Sequence, residues 1–170
     1  MKRRNLVAGI LLIGVATAPV GRAAGTGGDE AGAAFERLKA LAGEWKGDAA
    51  SGNATLSYEV IAGGTAIIER ESGDGRPTMM TMYHRDAERL LLTHYCMAGN
   101  QPRMQARYDR AKNEIVFEFV DATNLTSPDA THMHNVTIHF VDDNQIETAW
   151  QLYQKGKATT VERARYTRVH

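Results

Sequence analysis

His94 and Cys96 stand two residues apart, and so do His132 and His134. In an extended strand, residues two apart point to the same side. Imidazoles and a thiolate converging on one space would have two kinds of chemistry open to them. They could bind zinc or copper, for which these are preferred ligands. They could also pair a nucleophile with its base, because a thiol needs a nearby imidazole to ionise at neutral pH. The alternative reading is structural, with Cys96 a small buried hydrophobe and His94 a hydrogen-bonded wall residue. Asn100-Gln101-Pro102-Arg103 offers amides and a guanidinium at a turn, a set suited to gripping a carboxylate or simply to holding the turn. Met79, Met80, Met82, Met97 and Met104 cluster mid-chain and suit either an adaptable cavity or an ordinary core. Glu69-Arg70-Glu71 reads as an alternating charged strand face with solvated or cross-strand pairs. The sequence contains no Ser-centred nucleophile elbow, no phosphate-cradling glycine loop and no evident pair of catalytic acids.

The elements that would position these groups follow from periodicity. Phe35, Leu38 and Leu41 recur at helical spacing, with Glu36, Arg37 and Lys39 between them. A helix is expected over Asp29–Ala42, ended by Gly43. The period then changes to two. Strands are expected at Trp45–Ala50, Thr55–Ile61, Ala66–Glu71, Thr78–His84, Arg89–Met97, Arg103–Tyr108, Glu114–Val120, Met133–Val141, Gln145–Tyr153 and Thr159–Val169. Most are joined by tight turns, among them Gly63-Gly64, Asp142-Asp143-Asn144 and Lys155-Gly156-Lys157. In the eighth strand His134, Val136, Ile138 and Phe140 share one face, and Asn135, Thr137 and His139 the other. Ile115, Phe117 and Phe119 form a second one-sided set, and Ile146, Trp150 and Leu152 a third. The expected fold is all-β: an antiparallel up-and-down barrel of about ten strands with one short N-terminal helix, because closure removes exposed sheet edges. Thr78–Met97 is apolar on both faces, so the helix or a second copy of the chain is expected to cover its outside.

Residues 1–23 have the three parts of a secretory signal. Lys2, Arg3 and Arg4 precede an uncharged apolar run, Leu6–Ala18, and Gly21-Arg22-Ala23 supplies the small residues of a cleavage site. The run is shorter than the roughly 20 residues that span a bilayer. A flexible linker is expected over 24–32 and the barrel domain over 33–170. The chain has 20 Lys and Arg against 20 Asp and Glu. Removing the leader takes four of the cations, so the mature protein is mildly acidic with no basic run. That argues against nucleic acid and anionic membrane as partners. The single cysteine excludes an internal disulfide. The location expected is periplasmic or secreted, in a bacterium, without a membrane anchor.

Gly43-Glu44-Trp45, between helix and first strand, resembles the Gly-x-Trp of lipocalins and their calycin relatives. The resemblance implies a Trp45 that plugs one barrel end and an Arg of the last strand, Arg165 or Arg168, packed over it. A cation on an indole face contributes about 0.5–2 kcal/mol. Trp45-Lys46-Gly47 is similar to nitrobindin-type haem barrels, but no glycine-rich continuation follows Gly47. The C-terminal strands also lack a counterpart of that family's haem-ligating His, so the resemblance does not extend to haem. Thr93–Met104 resembles a group of bacterial exported proteins of lipocalin-like type, which brings no activity with it.

Together these readings lead to the expectation of a barrel that binds a small apolar or amphipathic molecule. Met80, Met82, Phe117, Phe119, Ile138 and Trp150 would line the cavity, with Cys96 on the His94 face and with His94, His134 and Arg103 as polar anchors. Gly43, Trp45 and Arg165 would be structural. A cavity enzyme of isomerase or cyclase type, a metal or thiol site, and a dimeric interaction module are the alternatives. The sequence names no cofactor.

Overall fold

The computed structural model describes residues 29–48 and 53–170. The expected leader (1–23), most of the expected linker, and the end of the first expected strand with part of its turn lie outside the described residues. Helix α1 spans Glu30–Lys39. Its N-cap is Asp29, whose side chain accepts a hydrogen bond from the Gly32 N–H at 2.7 Å, satisfying one orphan donor of the first turn. Ala34, Phe35 and Leu38 form its buried stripe. The helix therefore starts inside the segment expected to be linker. It ends at Lys39, short of Ala42, where the Leu41 and Ala42 N–H groups close tighter turns onto Leu38 O and Lys39 O, and Gly43 then redirects the chain at φ +124°, a conformation that suits glycine.

Ten strands follow: β1 (Gly43–Gly47), β2 (Thr55–Ile61), β3 (Ala66–Gly73), β4 (Arg76–Asp86), β5 (Arg89–Tyr95), β6 (Gln101–Asp109), β7 (Glu114–Thr123), β8 (His132–Phe140), β9 (Gln145–Gln154) and β10 (Lys157–Arg168). Each pairs antiparallel with its sequence neighbours, and β1 pairs with β10, so the sheet closes into a barrel. The strand array expected from sequence is present, with bounds displaced by a few residues.

Up-and-down connectivity sends alternate turns to opposite ends. One end carries the β4–β5, β6–β7 and β8–β9 turns, and α1 lies across it. Arg37 reaches Asp143 in the β8–β9 turn and stacks on Phe140, and Arg85 of β4 pairs with Asp29. Phe35, Leu38, Leu41, Trp45, Ile115, Phe140 and Ile146 make this half a continuous apolar core. Trp45 is fully buried, and its indole N–H donates to Leu41 O at 2.8 Å. Arg168 lies over its ring at 4.4 Å and donates to Ala40 O and Ala42 O at 2.7 and 2.9 Å. One guanidinium thus covers the indole and satisfies two carbonyls at the C-terminus of α1, where a cation is favoured. Arg165, the other candidate for this place, lies one face over. Its partner is Glu147, at 2.9 Å from Nε.

The wall is uneven at the opposite end. Pairing of β1 with β10 stops at Gly47↔Tyr166, while β10 runs on to Lys157 along β9 alone among the described residues.

Candidate functional site

Alternation along each strand decides which side chains meet inside. Ile67, Glu69 and Glu71 of β3 point inward, while Arg70 pairs outward with Glu59 at 2.9 Å. In β4, Met79, Thr81 and Tyr83 are the inward set, in register with Glu71, Glu69 and Ile67. Met80 and Met82 therefore face outward, contrary to expectation, and Met79 takes the inner place. In β10, Glu162, Ala164 and Tyr166 lie opposite Trp150, Thr148 and Ile146 of β9.

The inner face encloses a cavity of ≈ 360 Å³ in the half of the barrel away from α1. Leu56, Met79, Met133, Trp150 and Tyr166 give it apolar walls, and Glu69, Glu71, Glu162, His94 and Thr148 give it polar ones. Grooves of ≈ 490 and ≈ 720 Å³ lie elsewhere, the first beside α1 and the second over outward residues such as Val116, Thr137 and His139. Neither is lined by a buried polar atom lacking a partner. The interior cavity is.

That atom is His94 Nε2. The residue is 2 % exposed, with Nδ1 3.0 Å from Thr81 Oγ1 and its ring 4.5 Å from the Trp150 ring. Burial lowers its pKa to about 4, so the imidazole is neutral at pH 7. Deeper in, Tyr83 donates to Glu69 Oε2 at 2.6 Å. The Tyr58 hydroxyl sits beside the same carboxyl without closing a hydrogen bond of its own. Burial raises the Glu69 pKa, and the tyrosine contacts only partly oppose that. Glu71 is pushed up to about 7, first by burial and then by the neighbouring carboxylates Glu69 and Glu162. The site is thus a carboxylate-rich chamber with a neutral imidazole. The arrangement can accept hydrogen bonds and exchange protons near neutrality.

The sequence-based candidates divide. His94 and Trp150 line the cavity. Cys96 follows β5 on the His94 side, half-buried, and its sulfur accepts from the Ala98 N–H at 3.5 Å. Phe117 and Ile138 are buried in the core beneath, where Phe117 packs on Tyr83. Arg103 is on the outer face, in a two-pronged ion pair with Asp121, so it is no anchor for a molecule inside. Asn100 holds the turn by donating to Thr131 O at 2.8 Å. His134 misses the cavity because a β-bulge between Met133 and Asn135 resets the alternation and turns Met133 inward instead. His132 and His134 form their own cluster with Phe119 and Tyr153, joined by a 3.0 Å Nε2···Nδ1 hydrogen bond. It lies just past Glu118↔Asn135, where β7 and β8 cease to pair. His94, Cys96 and His134 are thus not joined by hydrogen bonds. Among the described residues, no group of three or more His, Cys, Asp or Glu is disposed to hold a metal ion.

The chamber's acids were missed. Glu69 and Glu71 share parity with Ile67, and Glu162 shares parity with Ala164 and Tyr166, which is the signal that could have found them.

No family model matches the chain, and neither does any curated protein. Among solved structures it is similar to Rv2717c from M. tuberculosis, at 16% identity and a TM-score of 0.52. That likeness covers 81% of this chain and 98% of the other, and it is a likeness of fold: the chain is a closed ten-stranded antiparallel β-barrel consistent with the lipocalin-like type.

Proposed function

We propose that the protein is a binding barrel for a small amphipathic molecule, held in the interior chamber. The observation that carries this reading is the chamber itself: ≈ 360 Å³ inside the barrel, with His94 Nε2 buried on its wall and unpartnered. Ligand sites are typically concave, largely apolar and furnished with a few convergent polar groups. The mixture of Leu56, Met79, Met133 and Trp150 with Glu71 and His94 is of that kind. The setting would be the bacterial periplasm or exterior, which rests on the leader-like pattern of residues 1–23. Native mass spectrometry of the protein from its own host, repeated after denaturation, tests the reading. An added mass that is lost on denaturation is expected. A bare mass, together with no binding by any small amphiphile in solution, would overturn it.

A further inference from the structure

The chamber is selective in the sign of its charge. Among the described residues, three carboxyl groups face it, Glu69 and Glu71 from β3 and Glu162 from β10, and no lysine does. Among the described residues, the one guanidinium at its border is that of Arg163, which stands opposite outward-facing Ala149 and also borders the outer grooves. Glu71 and Glu162 lie close enough to repel one another, with no internal cation among the described residues to relieve them. Glu69 is already engaged by Tyr83, so the free acceptors nearer the open end are Glu71 and Glu162.

His94 adds an independent demand. His94 Nδ1 and Thr81 Oγ1 share a hydrogen bond at 3.0 Å, and in the tautomer with the ring proton on Nδ1 the Nε2 atom presents a lone pair. A buried polar atom normally has a partner, and none of the described residues supplies one here. Two carboxylates and an imidazole nitrogen make three acceptors, and a primary ammonium has three N–H donors. A quaternary cation would leave Nε2 unmatched, and an anion would meet the carboxylates. The Trp150 face, beside His94, favours a cation electrostatically, while Leu56, Met79 and Met133 suit an apolar body.

We propose that the chamber takes a small amphipathic primary amine, its ammonium held by Glu71, Glu162 and His94 Nε2 and its apolar part by Leu56, Met79, Met133 and Trp150. This rests on reading the chamber as the ligand site.

The test compares n-octylammonium, n-octanol and octanoate on the full chain at pH 7.5, by calorimetry and by tryptophan fluorescence. A charge-assisted hydrogen-bond set should make the ammonium bind at least about tenfold tighter than the alcohol, with the carboxylate weakest. Glu71→Gln and Glu162→Gln should each shrink that preference severalfold. Glu162 is exposed at the rim, so its variant keeps the test valid if the Glu71 variant folds poorly. Loss of the fluorescence response in Trp150→Phe should place the probe in the chamber. If octanol or octanoate binds as tightly as the amine, with the Trp150 signature, the amine proposal is overturned and the binding-barrel reading stands. An amine preference untouched by both glutamate variants also overturns the proposal. If none of the three binds, the amine proposal falls, and the binding-barrel reading falls with it where native mass spectrometry also gives a bare mass.

Discussion

The two halves of this barrel solve opposite problems with the same strands. Under α1, every inward position is filled: Trp45, Ile115, Phe117, Phe140 and Ile146 are essentially inaccessible to water. The few polar groups there are matched, the indole N–H by Leu41 O and the Ala40 and Ala42 carbonyls by Arg168. In the other half the same alternation delivers Glu69, Glu71, His94 and Glu162 to the interior, and a buried polar atom on the cavity wall, His94 Nε2, goes without a partner. Packing density and polar satisfaction are what give a domain its stability. The contrast therefore assigns stability to the plugged half and leaves the open half to the binding proposed above.

Substitutions in the two halves should separate accordingly. Trp45→Ala removes the plug and should cost about 3–5 kcal/mol in urea unfolding, enough to threaten the fold at 37 °C. An effect below about 1 kcal/mol would mean the plugged half is not the stable one. Arg168→Ala should cost about 1–2 kcal/mol, because two carbonyl bonds and the indole contact go together. Arg165→Ala, which breaks only an exposed pair with Glu147, should cost distinctly less in the same experiment. Equal losses would remove the special role given to Arg168.

In the open half the expected effect is a pH dependence. Glu71 has its pKa raised to about 7, against 4.5 when unfolded, so between these values the native state holds the extra proton. Stability from this group is present below pH 4.5 and is lost as pH rises through 7. His94, lowered from 6.5 to about 4, runs the other way and takes stability away as pH falls from 6.5 to 4. The wild-type profile mixes the two, so the difference between Glu71→Gln and wild type is the informative quantity. Its melting temperature should gain a few degrees on wild type between pH 5 and pH 8 and no more above that. A gap that stays flat across that range would show Glu71 to be an ordinary exposed acid. The smallest effect belongs to Arg103→Ala, on the outer face, which should leave octylammonium affinity unchanged. A clear loss of affinity would bring Arg103 back as an anchor.

The sequence carried the fold because each strand announces itself locally, by alternation over a few residues and a turn on either side. The site was less legible, and particular residues show why. In Glu69-Arg70-Glu71 the alternation is plain, but a polar residue on both faces does not say which face is inside. The answer depends on Ile67 outranking Ile68, and only neighbouring strands decide that. Met79, Met80 and Met82 pose the same ambiguity with apolar residues. At His132 and His134 the parity argument is sound up to Asn135, and one bulge inverts it. His94 and Trp150 were found because their strands, β5 and β9, keep unbroken alternation along those stretches.

The contact between Trp45 and Arg168 also has a consequence in time. The hairpins from β2 to β9 join residues close in sequence and can form as soon as their two strands exist. Closing β1 onto β10 is the most distant pairing in the molecule, and loop-closure entropy makes such pairings late. The plug is therefore a final step, completed when the last strand returns to the first. For the export proposed above, that order would leave the lock to the last strand to emerge.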